Sequence, residues 1–86
     1  MKMDEENNYR RCLEDRITFH IPDARISFDA QWDEYNKSYC LIMIIISQEY
    51  DHMMLDSALS SVLQRLDSKY NNRINNTMFM INGASY

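Results

Sequence analysis

Tyr39-Cys40-Leu41-Ile42-Met43-Ile44-Ile45-Ile46 runs for eight residues without a charge, a glycine or a proline. Short, unbroken and rich in β-branched Ile, it reads as a strand covered on both faces. The stretch before it, Arg25-Ile26-Ser27-Phe28-Asp29-Ala30-Gln31-Trp32-Asp33, alternates polar and apolar residues at every step. That grammar describes a strand with one face in a core and the other in water. If the two strands pair in one sheet, its open side is solvated at one strand and apolar at the next. The apolar part then needs a cover, from this chain or from another, which points to an interaction protein.

The remaining elements follow from periodicity. Residues 4–16 suit a short helix with Tyr9, Cys12, Leu13 and Arg16 on one side and Asp4, Glu5 and Glu6 in the first turn. Ile17-Thr18-Phe19-His20-Ile21 alternates, which suits a strand with His20 on its polar face, and Pro22-Asp23 supplies a turn. In the alternating strand 25–33, Ile26, Phe28, Ala30 and Trp32 should face inward, and 33–38 is a polar loop. Three consecutive strands with short connections predict an antiparallel meander.

The clearest helix is expected over 48–70, with Met54/Leu55, Ala58/Leu59, Val62/Leu63, Leu66 and Tyr70 in one stripe. Ser47 suits its N-cap and Asn71-Asn72 its end. Thr77-Met78-Phe79-Met80-Ile81-Asn82 reads as a final strand broken by Gly83. The expected fold is α+β in a single domain of 86 residues. A three-stranded antiparallel meander plus a C-terminal strand would carry one long amphipathic helix on one face, with a short helix at the N-terminus.

The ββα order followed by a strand ending in Ile81-Asn82-Gly83 resembles ubiquitin-like β-grasp domains, whose sulfur carriers also have an Asn-Gly turn near the C-terminus. The resemblance implies a fold analogy. It does not extend to carrier chemistry, because Ala84-Ser85-Tyr86 stands where a carrier needs a diglycine.

Composition narrows the functions. The chain is 45% hydrophobic and 26% charged, with one Gly and one Pro, so a Gly-rich phosphate cradle is absent. Nine basic against 13 acidic residues give a net charge of −4, which argues against phosphate-backbone binding as the main role. No stretch is long and apolar enough for a signal peptide or a membrane span, so a cytoplasmic protein with no membrane partner is expected. Cys12 and Cys40 lie in apolar contexts and read as reduced, small hydrophobes. Abundant Asn, Ile, Tyr and Met with scarce Ala and Gly is the bias of an AT-rich gene, which fits an accessory protein of a phage or mobile element.

Chemical motifs are weak. Cys12, His20, Cys40 and His52 are separated by 8, 20 and 12 residues, which seats no two metal ligands on one turn. Cys40 opens an apolar strand, a poor setting for a thiolate nucleophile. Asp29 and Asp33 share a strand face roughly 13 Å apart, too far to act on one bond. An RNA-binding sheet would need exposed aromatics, and only Tyr39 offers a platform, with Arg10, Arg11 and Arg16 as a small basic patch. No enzyme activity, cofactor or metal is expected.

The β-branched parity Cys40, Ile42, Ile44 and Ile46 should pack under the long helix, with Phe79 and Ile81 beside it. That sends Tyr39, Leu41, Met43 and Ile45 to the outer face with Met78 and Met80 as the interaction face. His20, Arg25, Asp29 and Gln31 form a secondary polar face. Either the N-terminal helix folds over the outer face through Tyr9, Cys12 and Leu13, or the face awaits another protein. The leading expectation is a small acidic inhibitor that occupies a host protein's surface. A structural or regulatory homodimer and a small nucleic-acid-binding protein are the alternatives.

Overall fold

A computed structural model describes the backbone of residues 2–85 and the side chains from Glu5 to Ser85. The expected first-turn role of Asp4, and Tyr86, lie outside the described residues. In chain order the elements are α1 (Lys2–His20), β1 (Arg25–Asp33), β2 (Ser38–Asp51), α2 (His52–Gln64), a 3-10 turn (Ser68–Tyr70), α3 (Asn71–Asn75) and β3 (Thr77–Ala84). The fold is α+β, as expected, but its sheet is mixed. β2 is central, β1 pairs with it antiparallel, and β3 lies parallel on its other side after the chain has crossed through α2. A parallel pair needs a long crossover, and α2 supplies it.

Three expectations are corrected. Residues 17–21 form no strand; 17–20 complete α1. Ile17 and Ile21 continue the four-residue spacing of Tyr9 and Leu13, and all four are buried along one helical stripe. That stripe outweighs the local alternation, which leaves Phe19 82% exposed. Pro22 disfavours helical geometry at Ile21 and ends the helix there. The meander is therefore a two-stranded hairpin.

The long helix is also shorter than the 48–70 expected, because β2 continues to Asp51. Asp51 caps α2, its Oδ1 accepting from the Met54 N–H at 2.8 Å. Ser47 has a different task. It is buried, donates its hydroxyl to Asp23 Oδ1 at 2.7 Å and accepts from the Tyr50 N–H at 2.9 Å. Past Gln64 the chain leaves the α-helix, yet Leu66 and Tyr70 remain buried, so the apolar stripe persists after the helix has ended.

The core has two layers. Leu41, Met43 and Ile45 of β2, flanked by Ile26, Phe28, Phe79 and Ile81, form the sheet's inner face. Tyr9, Leu13 and Ile17 of α1 and Leu55, Leu59 and Val62 of α2 join the same cluster. Both long helices thus cover one face. Thr77 donates its hydroxyl to the Arg73 carbonyl, so Tyr9 donates its own to Thr77 Oγ1 at 3.0 Å and ties α1 to β3. Burial pushes the Tyr9 phenol up, against smaller opposing effects of that hydrogen bond and of Arg73.

Asp23 latches the turn after α1 to β2. Its Oδ2 accepts from the N–H groups of Gln48 and Glu49 at 2.9 and 3.1 Å. The Ser47 hydrogen bond, with a smaller contribution from these backbone donors, outweighs desolvation and holds its carboxyl below the ordinary carboxylate value. The carboxyl therefore binds its proton less tightly in the folded state. Its stabilisation is present above the ordinary value of 3.8 and is lost as pH falls through the lowered one. We expect the melting temperature to drop on acidification below that value, and to drop less in Asp23→Asn, measured by circular dichroism. An equal drop in both proteins would remove Asp23 from the account.

The β1–β2 hairpin closes over residues 34–37 with Asp33 opposite Ser38. Asp33 Oδ1 accepts from the N–H groups of Tyr35 and Asn36 at 3.0 and 3.3 Å, an Asx-type turn. Lys37 then takes φ 52°, the left-handed conformation that favours glycine. Lys37→Gly should stabilise the fold by about 0.5–1 kcal/mol despite losing the exposed ion pair to Glu34. Chemical denaturation reads this directly, and a destabilised variant would contradict it.

Candidate protein-binding face

The hairpin register decides which residues reach solvent. With Asp33 opposite Ser38, Phe28 stands opposite Met43 and Ile26 opposite Ile45, so these inward residues share one face. The other parity of β2 is turned outward. Ile42 lies between Asp29 and Met78, Ile44 between Ser27 and Met80, and Ile46 between Arg25 and Asn82. No helix covers this side among the described residues; the core cluster contains helix residues only on the inner face.

Of the six residues drawn from sequence as the interaction face, the register places two, Met78 and Met80, on the open side and four on the inner parity. Met78 and Met80 stand on the open face, 50% and 51% exposed. Leu41, Met43 and Ile45 do not: Met43 is 0% and Ile45 1% exposed, packed beneath the helices. The β-branched Ile42, Ile44 and Ile46 take their place outside. A shift of one residue in strand parity exchanges the two sets, because side chains alternate strictly along a strand. The N-terminal helix does cover Leu41, Met43 and Ile45 through Tyr9 and Leu13, but on the side that α2 also packs against.

Tyr39 shares the inner parity but lies beyond the helices, 66% exposed and edge-on to Trp32 at 5.0 Å. The outward positions from Arg25 to Gln31, Cys40 to Ile46 and Met78 to Asn82 carry no aromatic ring, and Trp32 and Tyr35 lie beside them at the hairpin tip. Of the secondary polar face, Arg25, Asp29 and Gln31 do line the outer side of β1. His20 does not join them. It ends α1 and meets Phe19 edge-on at 5.6 Å, far along the chain's other layer.

The open face thus consists of an apolar central strand, a thioether flank and a polar flank. Cys40 extends it toward the hairpin tip, where a groove of about 390 Å3 is lined by Gln31, Trp32, Asp33, Tyr35, Cys40 and Met78. The Cys40 thiol is turned to the Asn76 carbonyl at 3.2 Å. Asp29 Oδ1 accepts from the Ala30 N–H at 2.8 Å, which satisfies one backbone donor of β1, a strand with a neighbour on one side only. β3 is the other edge strand of the sheet.

Reaction chemistry finds little here. No group of three or more His, Cys, Asp and Glu side chains that could hold a metal ion occurs among the described residues, and no helix there is long and apolar enough to cross a membrane. No family model matches the chain, and neither a curated protein nor a solved structure is found similar to it, which leaves the β-grasp resemblance as an analogy of element order.

Proposed function

We propose that this chain is a non-enzymatic protein-binding module, a small acidic antagonist that lays its outer sheet face on the surface of another protein. The observation that carries the reading is the outward parity of the central strand, where Ile46 is 37% exposed and Ile42 and Ile44 are half-buried. Ile42, Ile44 and Ile46 stand outward between Met78 and Met80 on one side and polar β1 side chains on the other. A β-branched triplet at the centre of a sheet is ordinarily a core feature, and among the described residues no second layer covers it. Removing four or five such side chains from water contributes several kcal/mol at about 25 cal/mol per Å2, enough to drive association. Unbranched Met at the rim adapts to a partner's contour. The net charge of −4 favours a partner with a basic surface. A cytoplasmic setting and a phage or mobile-element origin fit the composition and complete the proposal.

The test uses immobilised wild type, Ile44→Glu and Phe19→Ser as baits in extract of the native cell. Phe19 is more exposed than Ile44, at 82%, but lies on the helical layer. Proteins held by wild type and Phe19→Ser but released by Ile44→Glu are the expected result. Identical retention by Ile44→Glu would remove the face from the function.

A further inference from the structure

The open face is ordered by the pairing register of its three strands. Its side chains form a grid of three rows: Arg25, Ile46 and Asn82; Ser27, Ile44 and Met80; Asp29, Ile42 and Met78. The middle row separates a cation on one side from a carboxylate on the other, both on β1. A two-fold axis laid in the interface along the middle row, perpendicular to the strands, exchanges the outer rows. It sets Arg25 opposite Asp29 of a second copy and Asp29 opposite that copy's Arg25. Ile46 then meets Ile42, and Ile44 and Met80 each meet themselves.

We infer that the partner this face fits in the free protein is a second copy of the same chain, packed face to face as a two-fold sandwich closed by two reciprocal Arg25–Asp29 pairs. Sheets stacked about 10 Å apart with strands aligned to about 30° allow those side chains to meet. The charges are available for it. Among the described residues Arg25 takes part in no ion pair, and Asp29 uses one oxygen on the Ala30 N–H, leaving the other free. Self-complementarity of this kind is what an isologous contact requires.

Size sets the strength. Three strands about 4.8 Å apart and about nine residues long at roughly 3.3 Å each give a face near 14 by 30 Å. Two such faces cover on the order of 800–900 Å2 in total, below the roughly 1,200 Å2 of a standard stable interface. The dimer is therefore a weak one, with a dissociation constant of micromolar or higher, and it falls apart on dilution below that concentration. It serves as a resting form that shields the Ile triplet until a better-fitting protein displaces the second copy, so self-association and antagonism exclude each other.

This inference rests on the reading of the outer face as a contact surface. Sedimentation equilibrium from about 5 µM to 1 mM tests it, using wild type, Arg25→Asp, Asp29→Arg and the double variant Arg25→Asp/Asp29→Arg, each checked for native circular dichroism and melting. Wild type should show a reversible monomer–dimer equilibrium. Either single reversal places like charges opposite one another and should weaken it at least about tenfold. The double variant should restore it to within about threefold, a rescue that unspecific apolar association would not give. A wild type monomeric at 1 mM, or a dimer indifferent to the reversals, would overturn the inference. The outcomes separate it from the antagonist proposal. A monomer whose bound proteins are still lost on Ile44→Glu sinks the dimer alone, and a charge-sensitive dimer whose bound proteins survive Ile44→Glu sinks the antagonist alone.

Discussion

Ile45→Asp should abolish the folded state, whereas Ile44→Asp, one residue away in the same strand, should leave it standing. Ile45 is 1% exposed in the cluster shared by β2, α1 and α2. Its replacement loses about 1.5–3 kcal/mol of apolar burial and adds the cost of an unpaired buried carboxylate, several kcal/mol more. The total stability of a domain this small is of the same order, about 5–15 kcal/mol at most. Ile44 points to the open side, where a carboxylate stays hydrated. The expected cost there is about 1 kcal/mol or less, chiefly the lost β propensity. Circular dichroism and urea denaturation separate the two outcomes. Unfolding by Ile44→Asp with tolerance of Ile45→Asp would reverse the assignment of faces.

Gly83→Ala should destabilise by about 3 kcal/mol or more, the largest expected effect of adding a single methyl group. Gly83 is the chain's one glycine, and it sits in β3 against the corner where β2 turns into α2. A Cβ built there would stand 2.8 Å from the Asp51 carbonyl oxygen, and closer still to the carbonyl carbon of Asp51 and the His52 nitrogen. These are backbone atoms and cannot rotate away. Overpacking ordinarily costs about 1–3 kcal/mol, and a clash with fixed backbone belongs at the upper end or above. The corner also holds the Asp51 cap of α2, so the strain reaches the crossover itself. Near-wild-type stability in Gly83→Ala would show that β3 and the corner are further apart than described.

Much of the architecture is legible from residue patterns, and the rest fails for identifiable reasons. The alternation of Arg25 to Asp33 marks β1 with its bounds, because a half-buried strand has to alternate. The expected stripe holds buried Leu55, Leu59, Val62, Leu66 and Tyr70, half-buried Ala58 and Leu63 and exposed Met54, so burial follows its centre even where the helix gives way to a 3-10 turn. Residues 17–21 mislead because Ile17 and Ile21 satisfy both a period of two and a spacing of four. The longer stripe from Tyr9 resolves the tie only when the whole of α1 is taken together.

The candidate face is legible in kind and not in parity. Eight consecutive apolar residues require cover on both sides of β2, yet both parities are equally apolar, so hydrophobicity cannot choose between them. The signal that could choose is the turn. Residues 34–37 form a four-residue connection held by Asp33 and Asn36, and counting back from it sets Phe28 opposite Met43 and fixes Ile42, Ile44 and Ile46 outside. Preference for β-branched residues in the core pointed the other way. Met43 won the inner position because pairing register is a geometric constraint and side-chain preference is a weak one.

The measurement that bears most directly on the central claim is native-state thiol labelling of Ile44→Cys and Ile45→Cys, each in a background lacking Cys12 and Cys40. A thiol at position 44, half-buried on the outer face, should react much faster than one at position 45 in dilute protein, and more slowly as rising concentration brings a second copy onto the face. A thiol at position 45 should stay protected until the protein unfolds. Fast labelling at 45 with protection at 44 in dilute solution would place the open face on the wrong side of the sheet and remove the basis of the account.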